Sequence, residues 1–200
     1  MTSEFANKTF LIIGCASVMG LATATLLANR GACLAICDIN QPGIEKIGRD
    51  LASQYQDRPI LARAVDVADR KSVEGFLDEV KEQWGGVHGI ANFAGTGGHQ
   101  LGVEPVWQTT DSEFDFIINL NIRRLFNLLG EALKPKFSSE LRSIVHITSM
   151  FGERGYENGA VFAASKHAAI GMVKSTALEI GRHGIRINSI LPYVPVSSLI

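Results

Sequence analysis

Short apolar runs alternate along this chain with longer stretches whose apolar residues recur every three or four positions. Residues 10–13 are almost wholly apolar, as expected of a strand buried on both faces of a sheet, and Gly14 stops the run. From Met19 the apolar residues Leu21, Ala22, Leu26 and Leu27 take helical spacing, which predicts a helix to Asn29 ended by Gly31. The alternation then repeats. Further strands are expected over 32–37, 59–67, 87–94, 141–148 and 185–191, and further helices over 42–55, 70–84, 111–136 and 161–180. Asp69 stands where it would cap the helix beginning at residue 70. Residues 96–107 carry Gly97, Gly98, Gly102 and Pro105 and read as a loop.

A βαβαβαβαβαβ order implies an α/β fold, with a parallel sheet covered by helices on both faces. No repeat, linker or low-complexity tract divides the chain, so residues 1–200 read as a single domain. With 46% hydrophobic and 20% charged residues, the sequence should bury a sizeable core. Nineteen basic residues against twenty acidic ones leave a formal charge of -1, which gives no whole-chain attraction for nucleic acid or an anionic membrane; neither is expected as a partner.

Cys15, Cys33 and Cys37 form no C-x-x-C pair. Cys33 and Cys37 lie four apart on one strand, hence on one face, and read as buried free thiols rather than metal ligands. The N-terminus lacks a basic segment followed by an apolar one, and no apolar run approaches a membrane span. A soluble, cytoplasmic protein in a reducing compartment is expected.

The first strand, turn and helix carry the first chemical signal. A helix opening at the carboxyl edge of a parallel strand directs free N–H groups and its positive dipole end into the crevice above the sheet, where an anion such as a pyrophosphate can sit. Gly14 and Gly20 are six apart, but the intervening position that usually needs a third glycine holds Val18. On its own, this turn suits a dinucleotide loop and a plain strand-to-helix turn equally well. Asp38 ends the second strand about twenty residues after the glycine turn, where a carboxylate accepts from both hydroxyls of an adenosine ribose and repels a 2′-phosphate. NAD(H) is therefore favoured, with NADP(H) also open. The alternative is an Asp that starts the next turn or caps the helix near Pro42.

Taken together, Gly14-x5-Gly20, Asp38, Asp66-Val67, Asn92-Phe93-Ala94-Gly95, Asn121, Ser149, Ser165-Lys166 and Arg186-Ile187-Asn188-Ser189 leading to Pro192 resemble a classical short-chain dehydrogenase/reductase over essentially the whole chain. The resemblance implies a Rossmann-type doubly wound parallel sheet in three α/β/α layers, strand order 3-2-1-4-5-6. It implies a dinucleotide held by Gly14, Ser17, Val18 and Gly20 at the pyrophosphate, Asp38 at the ribose, and Asp66 and Val67 at the adenine. Asn92, Ala94 and Gly95 would form the floor, with Lys166, Pro192 and Ser197 on the nicotinamide side. The family's catalytic set would comprise Asn121 holding a water, Ser149 on the substrate oxygen, and Lys166 lowering the pKa of a tyrosine that moves the proton.

That tyrosine belongs four residues before Lys166 and thirteen after Ser149, and both counts land on Phe162. Phenylalanine fills the volume without a proton to move. Tyr156 is the nearest other phenol. Arg124 stands where the family commonly has a small residue; it could reach the pocket or a subunit interface, although a snorkelling surface arginine is the commoner case. Tyr193 replaces a glycine after Pro192. The sequence stops soon after the sixth strand, where the family normally continues; either it is a piece of a longer chain, or the protein lacks that region, which would leave an open sheet edge and a pocket without one wall.

Three readings follow. One is a nicotinamide-dependent oxidoreductase acting on a hydroxyl or carbonyl group of a small molecule, with its proton relay compromised by Phe162. The second is a cyclase, isomerase or dehydratase on the same scaffold, using polar groups such as Ser149, Lys166, Arg124, Glu153 and His99. The third is an inactive binding or scaffold subunit. A homo-oligomer through helices 111–136 and 161–180 is implied in each case, with Ala163, Ala164, Ala168, Ala169 and Gly171 allowing close packing.

Overall fold

The structure is a computed structural model and describes residues 4–193. Six parallel strands form one sheet: β1 (Thr9–Ile13), β2 (Cys33–Asp38), β3 (Ile60–Ala64), β4 (Gly89–Asn92), β5 (Ser143–Ile147) and β6 (Arg186–Ile190). They lie in the order β3-β2-β1-β4-β5-β6, as expected for a doubly wound sheet. Successive strand residues face opposite sides. Leu11, Ile13, Ala35 and Cys37 pack against α3 (Arg70–Trp84), α5 (Arg124–Ala132) and α7 (Ala160–Ile180). Ile12, Leu34 and Ile36 pack against α1 (Val18–Asn29) and α2 (Gln41–Gln54) on the other side. This double burial explains why the strands read as continuous apolar runs.

β3 and β4 are shorter than the apolar runs that predict them because side chains turn the backbone aside. At β4, Asn92 Oδ1 accepts from the Ala94 N–H at 3.1 Å. After β3, Asp66 Oδ1 accepts from the Ala68 N–H at 2.9 Å.

The helix expected over 111–136 is broken. α4 (Asp111–Ile118) passes through a π-helical turn at Asn119–Arg123 into α5, which ends at Ala132. Pro135 then opens a short helix, α6 (Pro135–Ser138), and Lys134 before it is extended (ψ 141) because a residue preceding proline is pushed out of the helical region. Of the cysteines, Cys15 and Cys37 are buried and Cys33 is half-buried; all three are free thiols. Burial pushes the Cys15 thiol up to about 12. Among the described residues no helix is long and apolar enough to cross a membrane.

Candidate functional site

The strand order reverses direction between β1 and β4, whose carboxyl ends open a crevice. Gly14 leaves β1 with φ +74, a left-handed value that only glycine takes without strain, and a Cβ there would lie 2.8 Å from the Ala94 backbone nitrogen. Gly20 sits one turn into α1, where a Cβ would meet the Gly14 carbonyl oxygen at 2.3 Å. Both glycines are therefore required by close backbone approach. Ser17 caps α1, its Oγ accepting from the Gly20 N–H at 3.1 Å. Val18 is the first residue of α1, is not among the residues with positive φ, and is 88% exposed. The turn thus accommodates its β-branched side chain by pointing it into solvent.

Asp38 does not cap α2; Asn40 does, accepting from the Gly43 N–H at 3.1 Å. The Asp38 carboxylate instead accepts from the Ala16 N–H at 2.9 Å and the Asn40 N–H at 3.0 Å. It ties the end of β2 to the glycine turn and holds its oxygens at the crevice, where lone pairs remain for further donors. Gly14, Ser17, Asp38, Ile39, Val67, Ala94 and Gly95 line one cleft at this end.

Arg124 lines that cleft too, so the surface position expected for it is wrong. Its side chain is 11% exposed and its Nη2 lies 3.5 Å from Asp66 Oδ1. The preceding π turn inserts an extra residue into the helix and so changes which way the following residues point.

The other end of the crevice is a second cleft, lined by Thr148, Ser149, Phe162, Lys166 and Pro192 and sharing Phe93 and Gly95 with the first. A Cβ on Gly95 would lie 3.1 Å from both Asn121 Oδ1 and Lys166 Nζ. Glycine here lets those two groups approach the cofactor floor. Asn121, on the π turn, is fully engaged: its Oδ1 accepts from the Thr96 N–H at 2.8 Å. Its Nδ2 donates to the Thr96 carbonyl and to Ser165 Oγ, both at 2.9 Å. Ser165 Oγ in turn donates to the Phe162 carbonyl at 2.7 Å. The Asn121 side chain is therefore a clamp joining the loop after β4 to α7.

Lys166 is 6% exposed, and burial lowers its ammonium pKa to about 8. Its Nζ lies 5.5 Å from the centre of the Phe162 ring, a cation–π contact. Phe162 is buried and meets Phe151 edge-on at 6.4 Å. Ser149 Oγ accepts from the Phe151 N–H at 3.2 Å and keeps its own proton to donate. Tyr156 does not replace the missing phenol: its ring stacks on Phe151 at 4.3 Å, and its hydroxyl lies beside Gly102, outside this cleft. His99 is a loop histidine, its Nδ1 2.6 Å from Glu113 Oε2, and Glu153 is exposed. Tyr193 is exposed, and Ser197 lies outside the described residues.

Two residues escaped sequence reasoning. Ser165 was visible only as part of a motif, and its bonding role needs the fold. His146 is 1% exposed on β5, opposite Asn92, and neither ring nitrogen makes a well-formed hydrogen bond. Burial, helped by the nearby Lys166 charge, lowers its pKa to about 4. One histidine within the apolar run of β5 was the available signal.

A glycine turn, a carboxylate at the end of the second strand and a buried lysine at the switch point of a doubly wound sheet define a Rossmann-type nucleotide-binding protein. Residues 14–198 match a family model described as enoyl-(acyl carrier protein) reductase. Levodione reductase of Leifsonia aquatica is 35% identical over 96% of this chain and 70% of its own length. Short-chain dehydrogenase/reductase aba4 of Botryotinia fuckeliana (strain B05.10) is 33% identical over 96% of this chain and 74% of its own. The crystal structure of NAD+-bound xylitol dehydrogenase superposes with a TM-score of 0.87 at 28% identity, covering 94% of this chain and 71% of that one. The chain belongs to the short-chain dehydrogenase/reductase family.

Proposed function

We propose that this protein is an NAD(H)-dependent short-chain oxidoreductase acting on a hydroxyl or carbonyl group of a small molecule, with a proton relay altered by Phe162. The observation that carries this reading is Lys166 Nζ and Asn121 Oδ1 meeting at Gly95, on the wall shared by the glycine-turn cleft and the Ser149 cleft. The named relatives are a levodione reductase and a xylitol dehydrogenase, which favours redox chemistry over the isomerase and scaffold readings.

The residues fit a dinucleotide. The Gly14–Gly20 turn packs closely on itself with the Val18 side chain out in solvent, and the capped end of α1 presents N–H groups to a pyrophosphate. Asp38 would take the ribose hydroxyls, and Lys166 would take the nicotinamide ribose. When bound, the dinucleotide would supply or accept the hydride. Ser149 donates its hydroxyl proton in a hydrogen bond to the substrate oxygen. Phe162 has no proton to give, and Lys166 is the one titratable side chain lining that cleft among the described residues. An ammonium whose pKa is about 8 can serve as the acid near neutral pH.

The free thiols support a reducing, cytoplasmic location. A homo-oligomer through α4–α5 and α7 is part of the same reading. Ala164, Ala168 and Gly171 face outward on α7 and support it, whereas Ala163 and Ala169 are buried against the core.

The test is a calorimetric titration of the purified chain with NADH, followed by carbonyl reduction across pH. Binding is expected, with slow turnover that falls about tenfold per pH unit once the pH passes the Lys166 pKa. Turnover that stays flat through that range would remove Lys166 as the acid, and no binding of NADH or NADPH would overturn the oxidoreductase reading.

A further inference from the structure

Arg124 is the one feature of the crevice that the proposed reaction leaves unused. It opens α5 directly after the π turn and runs inward to the cleft that holds Asp38. A guanidinium offers five N–H donors in a planar fork. Here the partner is Asp66 Oδ1 at 3.5 Å, a long contact to an oxygen that already accepts from the Ala68 N–H at 2.9 Å. Arg124 Nε is buried without a hydrogen-bond partner. Leaving a buried donor unpaired is costly, so the guanidinium is held at the cleft by little more than the long Asp66 contact.

The charges point the same way. Asp38 and Asp66 alone would make this end of the crevice doubly negative, a poor place for any phosphate. Arg124 reduces that charge from within the cleft.

We propose that Arg124 determines specificity at the adenosine end of the crevice. Its guanidinium, on the wall of the cleft, takes a phosphate monoester on the adenosine ribose, offsets the repulsion from Asp38, and so admits NADP(H) beside NAD(H). The proposal rests on the dinucleotide-binding reading and deepens it. It concerns this chain's own departure from a small residue at the head of this helix.

The experiment uses fragments that leave the chemistry end untouched. The natural chain and Arg124→Leu are titrated calorimetrically with 5′-ADP and 2′,5′-ADP, and the natural chain also with NADH. In the natural chain 2′,5′-ADP is expected to bind no more than about tenfold more weakly than 5′-ADP. In Arg124→Leu the ratio of the two affinities should move by about tenfold or more toward 5′-ADP, the loss expected for one charge-assisted hydrogen bond. A smaller shift, or tighter binding of both fragments, overturns the proposal; the second result would make Arg124 a plug. A larger gap in the natural chain overturns it without any variant. If NADH binds and the Arg124 effect is absent, this proposal alone falls. If NADH does not bind either, the oxidoreductase reading falls with it.

Discussion

The two ends of the crevice share Phe93 and Gly95 but depart from the family pattern in opposite directions. The adenosine end has gained a group: Arg124 brings a positive charge to a site already holding Asp38 and Asp66. The chemistry end has lost one: Phe162 keeps the aromatic body of a tyrosine and its packing on Phe151, but not the hydroxyl. The gain changes which ligand is held, and the loss changes what can be done to it. Each end is held by its own hydrogen bonds, so changes at one end can be made without disturbing the other. Asp38 fixes one through Ala16, and Asn121 fixes the other through Thr96 and Ser165.

Phe162→Tyr tests this separation most strongly. Restoring a phenol beside a lysine whose pKa is about 8 should raise carbonyl reduction by roughly 10²–10⁴ while NADH affinity stays put. Steady-state rates and calorimetry read the two quantities independently. A change in affinity comparable to the change in rate would break the comparison.

The next effect belongs to the floor of the chemistry end. His146 has a folded pKa of about 4 against an ordinary 6.5, so the unfolded chain binds a proton first as pH falls. The stability it contributes is present above pH 6.5 and is lost as pH falls toward 4, reaching about 3 kcal/mol. In urea unfolding between these limits the natural chain should lose stability as pH falls and His146→Phe should lose about 3 kcal/mol less; an unchanged slope in the variant would exclude it.

The smallest effect concerns the adenosine end. Asp38→Ala should weaken NADH by about tenfold and NADPH by less, because the carboxylate favours free ribose hydroxyls. Equal weakening of both would mean that Asp38 acts only through its bond to Ala16.

Much of this was legible in the chain. Doubly buried strands announce themselves as apolar runs, and the order of alternation gives the sheet. Asp38 was singled out by its spacing from the glycine turn, whereas Ser149 and Lys166 were singled out only by the resemblance to the family's pattern. The direction of Arg124 was not legible. A regular helical period is expected through 111–136, whose apolar residues would then share one face, yet Phe114 is exposed. The π turn at Asn119–Arg123 changes the phase between α4 and α5, so residues on either side do not share one face. Asp38 was assigned a ligand role or a capping role, but its bond to the Ala16 N–H is a long-range contact that no local pattern encodes.

The Asn121 clamp also makes the crevice floor measurable in time. The Thr96 amide proton is held by Asn121 Oδ1 rather than by a neighbouring strand. In deuterated water it exchanges only when that bond opens, so its exchange rate clocks how often the loop after β4 lets go of α7. Dinucleotide resting on Gly95 should slow that clock, and a fragment confined to the adenosine end should leave it running.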